Sequence, residues 1–350
     1  MIEDKNLSFT PLSNFNEFDL IHEWTKNFKI YHSNLLKGIG DDCAVQDLGN
    51  GKVLLTSTDF LVEGVHFDLS YYPPVHLGYK AAMVNFSDII AMNALPNSIT
   101  VSIACSNCHS FELIQQIYLG IQIACDELQV DLIGGDTSST RKELIISITV
   151  NSIFDKNKIV FRDGAKHADI LCVTGDLGAA YAGLQILERE KQVYLQNKEI
   201  QPDLSEYSYV IERQLRPRAR YDIIHFLAQN NILPTSMIDI SDGLANEINH
   251  LCKNSKLGAV IYQDKLYSDY ETQKVAELLN IPLTSFILYG GEDYELLFTA
   301  HPSKYIDIQK NKDIKIIGYM TEQFSEPMLL QFDESFVPIK PYGYHHFNKS

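Results

Sequence analysis

The feature that most constrains this chain is a set of acidic residues with no local partners. Six short windows, 38–48, 56–66, 85–96, 132–139, 237–248 and 287–298, span 66 residues and hold 13 aspartates and glutamates but no lysine or arginine. The chain's 29 Lys and Arg in 350 residues would on average put about five there. The flanking residues are apolar or glycine, so each carboxylate is expensive to bury unpaired. Where such groups converge they raise one another's pKa unless a cation compensates. Hard divalent ions meet that need: Mg²⁺ takes oxygen ligands and keeps waters and phosphates in its shell.

Taken singly, each window has a structural explanation. Gly40-Asp41-Asp42 suits a turn. Ser57-Thr58-Asp59, at a strand's end, suits a helix N-cap, with the hydroxyls as weak metal ligands beside Asp59. Asp88 has Val84, Asn85, Ala91 and Met92 as helical neighbours, and suits a solvated helix edge. In Asp239-Ile240-Ser241-Asp242-Gly243 alternation places Asp239 and Ser241 on one strand face. Asp242 then opens the next helix, a position favouring an N-cap or an anion. Gly134-Gly135-Asp136 and Gly290-Gly291-Glu292 follow apolar runs, where paired glycines allow a tight turn or close approach to a phosphate. Six such windows, all free of bases, argue together for a metal cluster. His66 reads as a surface, core or substrate-contacting histidine, and His345 and His346 as part of an exposed tail.

Composition removes several alternatives. A formal net charge of −16 repels phosphate backbones and anionic lipids, so nucleic acid and membrane are not expected partners. The longest apolar runs, such as 144–150, are strand-sized. The N-terminal segment shows no secretory pattern. Of the six cysteines only Cys105 and Cys108 have metal-like spacing, and no second pair answers them. The thiols are therefore expected reduced, in a cytoplasmic protein. P-loop, dinucleotide, protein-kinase and H-E-x-x-H signatures are missing.

Strand-like and helix-like segments alternate along the chain. Periodicity predicts strands over 53–61, 98–105, 144–154, 169–174, 259–262, 294–299 and 315–319, and helices over 75–93, 111–128, 177–190, 219–230 and 243–253. The polar stretch 191–205 reads as a surface loop. A boundary within 155–165 gives two α+β halves, 1–158 and 159–350. From residues alone the reading stops at a Mg²⁺-dependent enzyme acting on a phosphorylated substrate.

The order and wording of the motifs go further. Gly38-Ile39-Gly40-Asp41-Asp42, the 57–67 string STDFLVEGVHF, Val84-Asn85-Phe86-Ser87-Asp88, Gly134-Gly135-Asp136-Thr137, Asp239-Ile240-Ser241-Asp242-Gly243-Leu244 and the 290–296 string GGEDYEL resemble the thiamine-monophosphate kinase family. The likeness runs from about residue 7 to Gly343-Tyr344-His345-His346-Phe347. It implies an α+β, two-domain aminoimidazole ribonucleotide synthetase-like fold, with N-terminal domains pairing into a β-barrel-like homodimer core. It also implies transfer of the γ-phosphoryl of ATP to thiamine monophosphate. By the same resemblance Asp42, Ser57, Thr58, Asp59, Asp88, Asp136, Asp239 and Asp242 match positions holding several Mg²⁺ ions. Gly135, Asp136, Arg162 and Ser241 match positions contacting ATP, and His66, Glu292 and Tyr344 positions contacting the thiamine substrate. No residue is expected to be a nucleophile, because direct in-line transfer to an ionised phosphate oxygen needs none. Three departures stand out: Asn93 where the family has Gly, Ser138 where it has Thr, and Lys166-His167-Ala168-Asp169 where it has a Pro-Gly turn. The rival readings are another ATP-dependent synthetase of the same superfamily, an inactive nucleotide- or metal-binding relative, and an acidic protein with solvated carboxylates.

Overall fold

The computed structural model describes residues 10–341 apart from 16, 200 and 201. Two mixed sheets are drawn from consecutive stretches of chain. The first contains β1 (Leu35–Lys37), β2 (Ala44–Gly49), β3 (Lys52–Val62), β4 (Ser98–Cys105), β5 (Asp131–Ser139) and β6 (Ile145–Asp155). Their order is β1-β2-β3-β6-β4-β5, antiparallel except for the parallel β4–β5 pair. Its helices are α1 (Glu17–Thr25), α2 (Pro74–Ala91) and α3 (Phe111–Leu128).

The second sheet contains β7 (Ile170–Thr174), β8 (Ser236–Asp239), β9 (Gly258–Tyr262), β10 (Leu296–Ala300), β11 (Ile314–Thr321), β12 (Pro327–Leu330) and β13 (Phe336–Pro338), ordered β13-β12-β9-β11-β7-β10-β8. Around it lie α4 (Ala179–Gln196), α5 (Ser208–Leu215), α6 (Tyr221–Gln229), α7 (Leu244–Ser255), α8 (Tyr270–Leu279), α9 (Leu283–Tyr289) and the short α10 (Tyr305–Ile308). Among the described residues no helix is long and apolar enough to cross a membrane.

Strands β7, β8 and β10 of the second sheet are buried along their whole length, and β7 and β10 read accordingly as near-continuous apolar runs. Along β7, Ile170 and Cys172 join the core shared with α2, whereas Leu171 and Val173 join a second core built on α7. Met237 and Ile238 of β8 divide the same way. The shared core also holds Phe86, Ile89, Val150 and Phe298, so it is continuous from one sheet to the other.

Helix α2 is the axis of the molecule. Fourteen of its residues are buried, including Lys80, Asn85 and Ser87, as expected of a helix surrounded on all sides. It packs on β3, β6, α3 and β8. Against α3 the two backbones touch: a Cβ on Gly78 would lie 1.8 Å from the Ile117 carbonyl oxygen, and one on Gly120 1.9 Å from that of Val75.

Most anticipated elements are present, and helix 111–128 and strand 98–105 match residue for residue. Ser110 explains the sharp start of α3, its side chain accepting from the Leu113 N–H at 3.1 Å. Several expectations are corrected. The stretch 191–205 is not all loop, because α4 continues to Gln196. Ser57-Thr58-Asp59 lies inside β3 rather than at a helix start. Gly243, not Asp242, occupies the N-cap of α7. Strands β1, β2, β5, β12 and β13 and helices α1, α5, α8, α9 and α10 are too short or too polar to register as periodic segments. Asn93 behaves as a left-handed helix end should, with φ +59°, and its Nδ2 donates to the Lys158 carbonyl at 2.8 Å. In the departing 166–169 turn, Asp169 N–H donates to Lys166 O at 3.0 Å and places Ala168 at φ +68°. All six cysteines are free.

Candidate functional site

Four segments bring carboxylates together beside α2. Asp42 follows β1, Asp59 lies on β3, Asp88 on the last turn of α2 and Asp239 at the end of β8. One oxygen from each of Asp42, Asp88 and Asp239 lies within 4.8 Å of the other two. Hydroxyls orient two of them: Ser57 Oγ donates to Asp88 Oδ2 and Ser87 Oγ to Asp239 Oδ2, each at 2.5 Å. Strand alternation puts Ser57 and Asp59 on this face and turns Thr58 away. The Thr58 hydroxyl instead bonds the Ile148 carbonyl at 3.2 Å and Thr149 at 3.0 Å. Asn85 Oδ1, fully buried, accepts from the Asp59 N–H at 3.0 Å and fixes the strand against the helix.

The electrostatics are those of crowded anions. Burial, then Asp59, Asp239 and Asp42, hold the Asp88 carboxyl well above the usual range. Burial and Asp42 push Asp239 up to about 8. Asp59 is solvent-exposed, yet the protein packed around it, with Glu17 and Asp42, pushes it to about 6. Among the described residues one guanidinium answers them: Arg162 grips Asp42 through two bonds, Nη2 to Oδ1 at 2.7 Å and Nε to Oδ2 at 3.1 Å. Its backbone N–H bonds Asp41 Oδ1 at 3.2 Å, and Lys37 pairs with Asp41 Oδ2 at 3.2 Å.

The donors of this set are all oxygen, which fits a hard divalent ion rather than zinc or copper. The nearby Cys43 thiol donates to the Asp88 carbonyl at 3.5 Å and is held protonated by burial and the surrounding carboxylates. Asp42, Asp88 and Asp239 are therefore the residues that would hold magnesium, with Ser57 and Asp59 beside them.

Ser241 and Asp242 lie just beyond β8, where Glu247, unanticipated from the sequence, meets them. Its Oε1 accepts from the Asp242 N–H at 3.0 Å, and burial together with Asp242 pushes its carboxyl well up. The 290–294 segment docks on the same residues: Glu292 N–H donates to Ser241 O at 2.6 Å and Tyr294 N–H to Ile240 O at 2.9 Å. Glu292 and Tyr294 both take positive φ, +58° and +51°, a costly conformation for side-chain-bearing residues.

Glu292 marks a second locus. Its Oε1 pairs with Lys80 Nζ at 2.8 Å, and its Oε2 accepts from Gln214 Nε2 at 2.7 Å. Lys80 is 1% exposed, and its ammonium lies 5.7 Å from the centre of the Tyr72 ring. Burial first, and the Glu292 charge with it, holds the Tyr71, Tyr72 and Tyr294 phenols protonated. Sequence reasoning missed Lys80, Gln214 and Glu247. A lone lysine within the apolar run of α2 was the available signal for the first.

Other expected residues lie apart from the carboxylate triad. Asp136 sits on β5, every residue of which is exposed. Gly135 approaches β4, where a Cβ would fall 1.8 Å from the Val101 carbonyl oxygen, so strand packing requires that glycine. His66 accepts the Val62 N–H on Nδ1 at 3.0 Å, which leaves its proton on Nε2. Tyr344 falls outside the described residues.

Comparison with known proteins identifies the family. Residues 40–154 match the family model of the AIR synthase related protein, N-terminal domain. The thiamine-monophosphate kinase of Bacillus subtilis is 33% identical over 337 residues, 95% of this chain and 99% of that protein. The thiamine-monophosphate kinase of Buchnera aphidicola subsp. Schizaphis graminum is 36% identical over 343 residues, again 95% and 99%. Among solved structures, AaThiL complexed with AMPPCP and TMP superposes with a TM-score of 0.82 at 31% identity, covering 97% of this chain and all of that one. Identity of 33% and 36% along nearly the whole length of both proteins places this chain in the thiamine-monophosphate kinase family.

Proposed function

We propose that this chain transfers the γ-phosphoryl group of ATP to thiamine monophosphate, giving thiamine diphosphate and ADP, in a Mg²⁺-dependent reaction. The all-oxygen triad of Asp42, Asp88 and Asp239, in a member of this family, carries the reading. The related AaThiL structure with AMPPCP and TMP supports both substrates.

Magnesium bound among these oxygens supplies the positive charge that lets two anionic phosphate chains approach. Ser57 and Ser87 hold Asp88 and Asp239 in the orientation that ligation needs. Of the further metal positions that the family pattern implies, Asp59 and Asp242 remain candidates, whereas Thr58 turns to the far face of β3 and Asp136 lies apart on β5; Gly135, Asp136, Arg162 and Ser241 are the ATP positions by the same pattern. Arg162, now shared with Asp42, is the nearest guanidinium for a phosphate oxygen. His66, Glu292 and Tyr344 take the thiamine side. The acceptor is a phosphate oxygen already ionised at neutral pH, so transfer is direct, with no general base and no carboxylate nucleophile.

The functional unit is a homodimer. Strand β5 supports this, since it leaves all nine residues exposed on a sheet edge, Leu132 and Ile133 among them, and such an edge invites a second strand. The chain divides into domains 1–158 and 159–350 and works in the cytoplasm, where ATP is plentiful and free thiols persist.

The test is thiamine diphosphate formation from ATP and thiamine monophosphate, with and without Mg²⁺, for wild type and Asp88→Asn. Mg²⁺-dependent product that collapses in the variant is the expected result. Binding of Mg²⁺-ATP without any thiamine diphosphate would overturn the substrate and direct attention to carbonyl-activating relatives.

A further inference from the structure

Gln214, on α5, is 3% exposed, and its Oε1 is buried with no hydrogen-bond partner among the described residues. A buried carbonyl oxygen left this way is uncommon and calls for a reason. The amide's orientation is not free. Its Nε2 donates to Glu292 Oε2 at 2.7 Å, and the flipped amide would set oxygen against a carboxylate oxygen. Glu292 is fixed in turn by Lys80, whose ammonium also approaches the Gln214 backbone carbonyl at 3.4 Å. A buried cation, a carboxylate and an amide thus form a braced chain that ends in one unused acceptor. It ends beside Glu292, which keeps 29% of its side chain open.

An acceptor held this way asks for an N–H or O–H donor on whatever enters beside Glu292. Thiamine offers one on its heteroaromatic face, the exocyclic amine of the aminopyrimidine. We propose that Gln214 Oε1 accepts a hydrogen bond from that amine and so selects the substrate, with Lys80 and Glu292 positioning the amide. The inference rests on the thiamine monophosphate reading above.

Two substrates test it: thiamine monophosphate, and the analogue in which a ring carbonyl replaces the amine (oxythiamine monophosphate). The readout is the ratio of their kcat/KM values, which a general loss of structure would leave unchanged. Wild type should prefer the amine, and Gln214→Met should lower that preference about tenfold, chiefly through KM for thiamine monophosphate. Gln214→Asn, which keeps an amide but withdraws it by one methylene, should fall between the two and serves if the methionine variant does not fold. Lys80→Met, which loosens Glu292 and the amide it holds, should raise KM for thiamine monophosphate and lower the preference by less than Gln214→Met does. A ratio within twofold of wild type in both Gln214 variants, with thiamine monophosphate still turned over, would overturn the assignment. Wild type that cannot phosphorylate thiamine monophosphate at all would overturn the proposed function, and this assignment with it.

Discussion

Replacing Lys80 by methionine removes a buried charge but keeps much of the side-chain volume. Lys80 is 1% exposed, so in the native chain its ammonium depends on Glu292 Oε1 at 2.8 Å, the Gln214 carbonyl at 3.4 Å and the face of Tyr72. Removing one partner of a fully buried pair costs about 3–5 kcal/mol, because the other charge is stranded. Glu292, however, keeps 29% of its side chain in contact with solvent and retains Gln214 Nε2. We therefore expect Lys80→Met at the lower edge, about 2–3 kcal/mol. The reverse change, Glu292→Gln, strands the more deeply buried lysine and should cost more, about 3–5 kcal/mol. The double variant should be no less stable than the worse single one, which gives a coupling energy of at least about 2 kcal/mol. Urea unfolding followed by far-ultraviolet circular dichroism on the four proteins measures all three quantities. Two single costs that simply add in the double variant would refute the argument, since the ion pair would then contribute nothing as a pair.

Three further outcomes follow from the geometry. The raised carboxyls of Asp239, near 8, and Asp41, near 6, bind protons that the unfolded chain has released, so without metal the stability should fall as pH rises from about 4 to 8. Millimolar Mg²⁺ should flatten that slope in thermal melts, and Asp88→Asn should weaken both effects. Ala168→Gly should stabilise the chain by about 0.5 kcal/mol in the same urea assay, because φ +68° strains alanine by more than glycine's extra chain entropy costs. Gly120→Ala should reduce soluble expression sharply, since its Cβ would meet the Val75 carbonyl at 1.9 Å, a backbone atom that no rotamer change can move.

Much of the site was legible because carboxylates without local bases are rare enough to be counted. Asp42, Asp88 and Asp239 stood out on that basis, and the structure places all three in one oxygen set. The face of each side chain was legible only where the strand's extent was known. Taken as a strand end, Ser57-Thr58-Asp59 offered three ligands together; as the interior of β3 it offers two, with Thr58 on the far face. Lys80 is hidden by the same criterion that reveals the acids, because it lies just outside a window free of bases. Gln214 carried no signal, since a glutamine amid Arg213, Leu215 and Arg216 says nothing of its burial. Strand β5 was missed for a related reason: exposed along its whole length, it lacks the alternation that a half-buried strand writes into its sequence.

Helix α2 also sets a timetable. Ser87 waits for Asp239, 152 residues further along the chain, and Lys80 for the Gln214 carbonyl, 134 residues on. At ~5–20 residues per second, a ribosome takes about 7–30 s to cover either interval. Once β6 ends at Asp155 the first sheet is finished, and until Asp239 emerges, about 4–17 s later at that rate, the side of its central helix that will meet β8 has nothing to lie against. A nascent chain paused between β6 and β8 is therefore the species that chaperones should bind most avidly, and slow codons in that interval would lengthen its exposure.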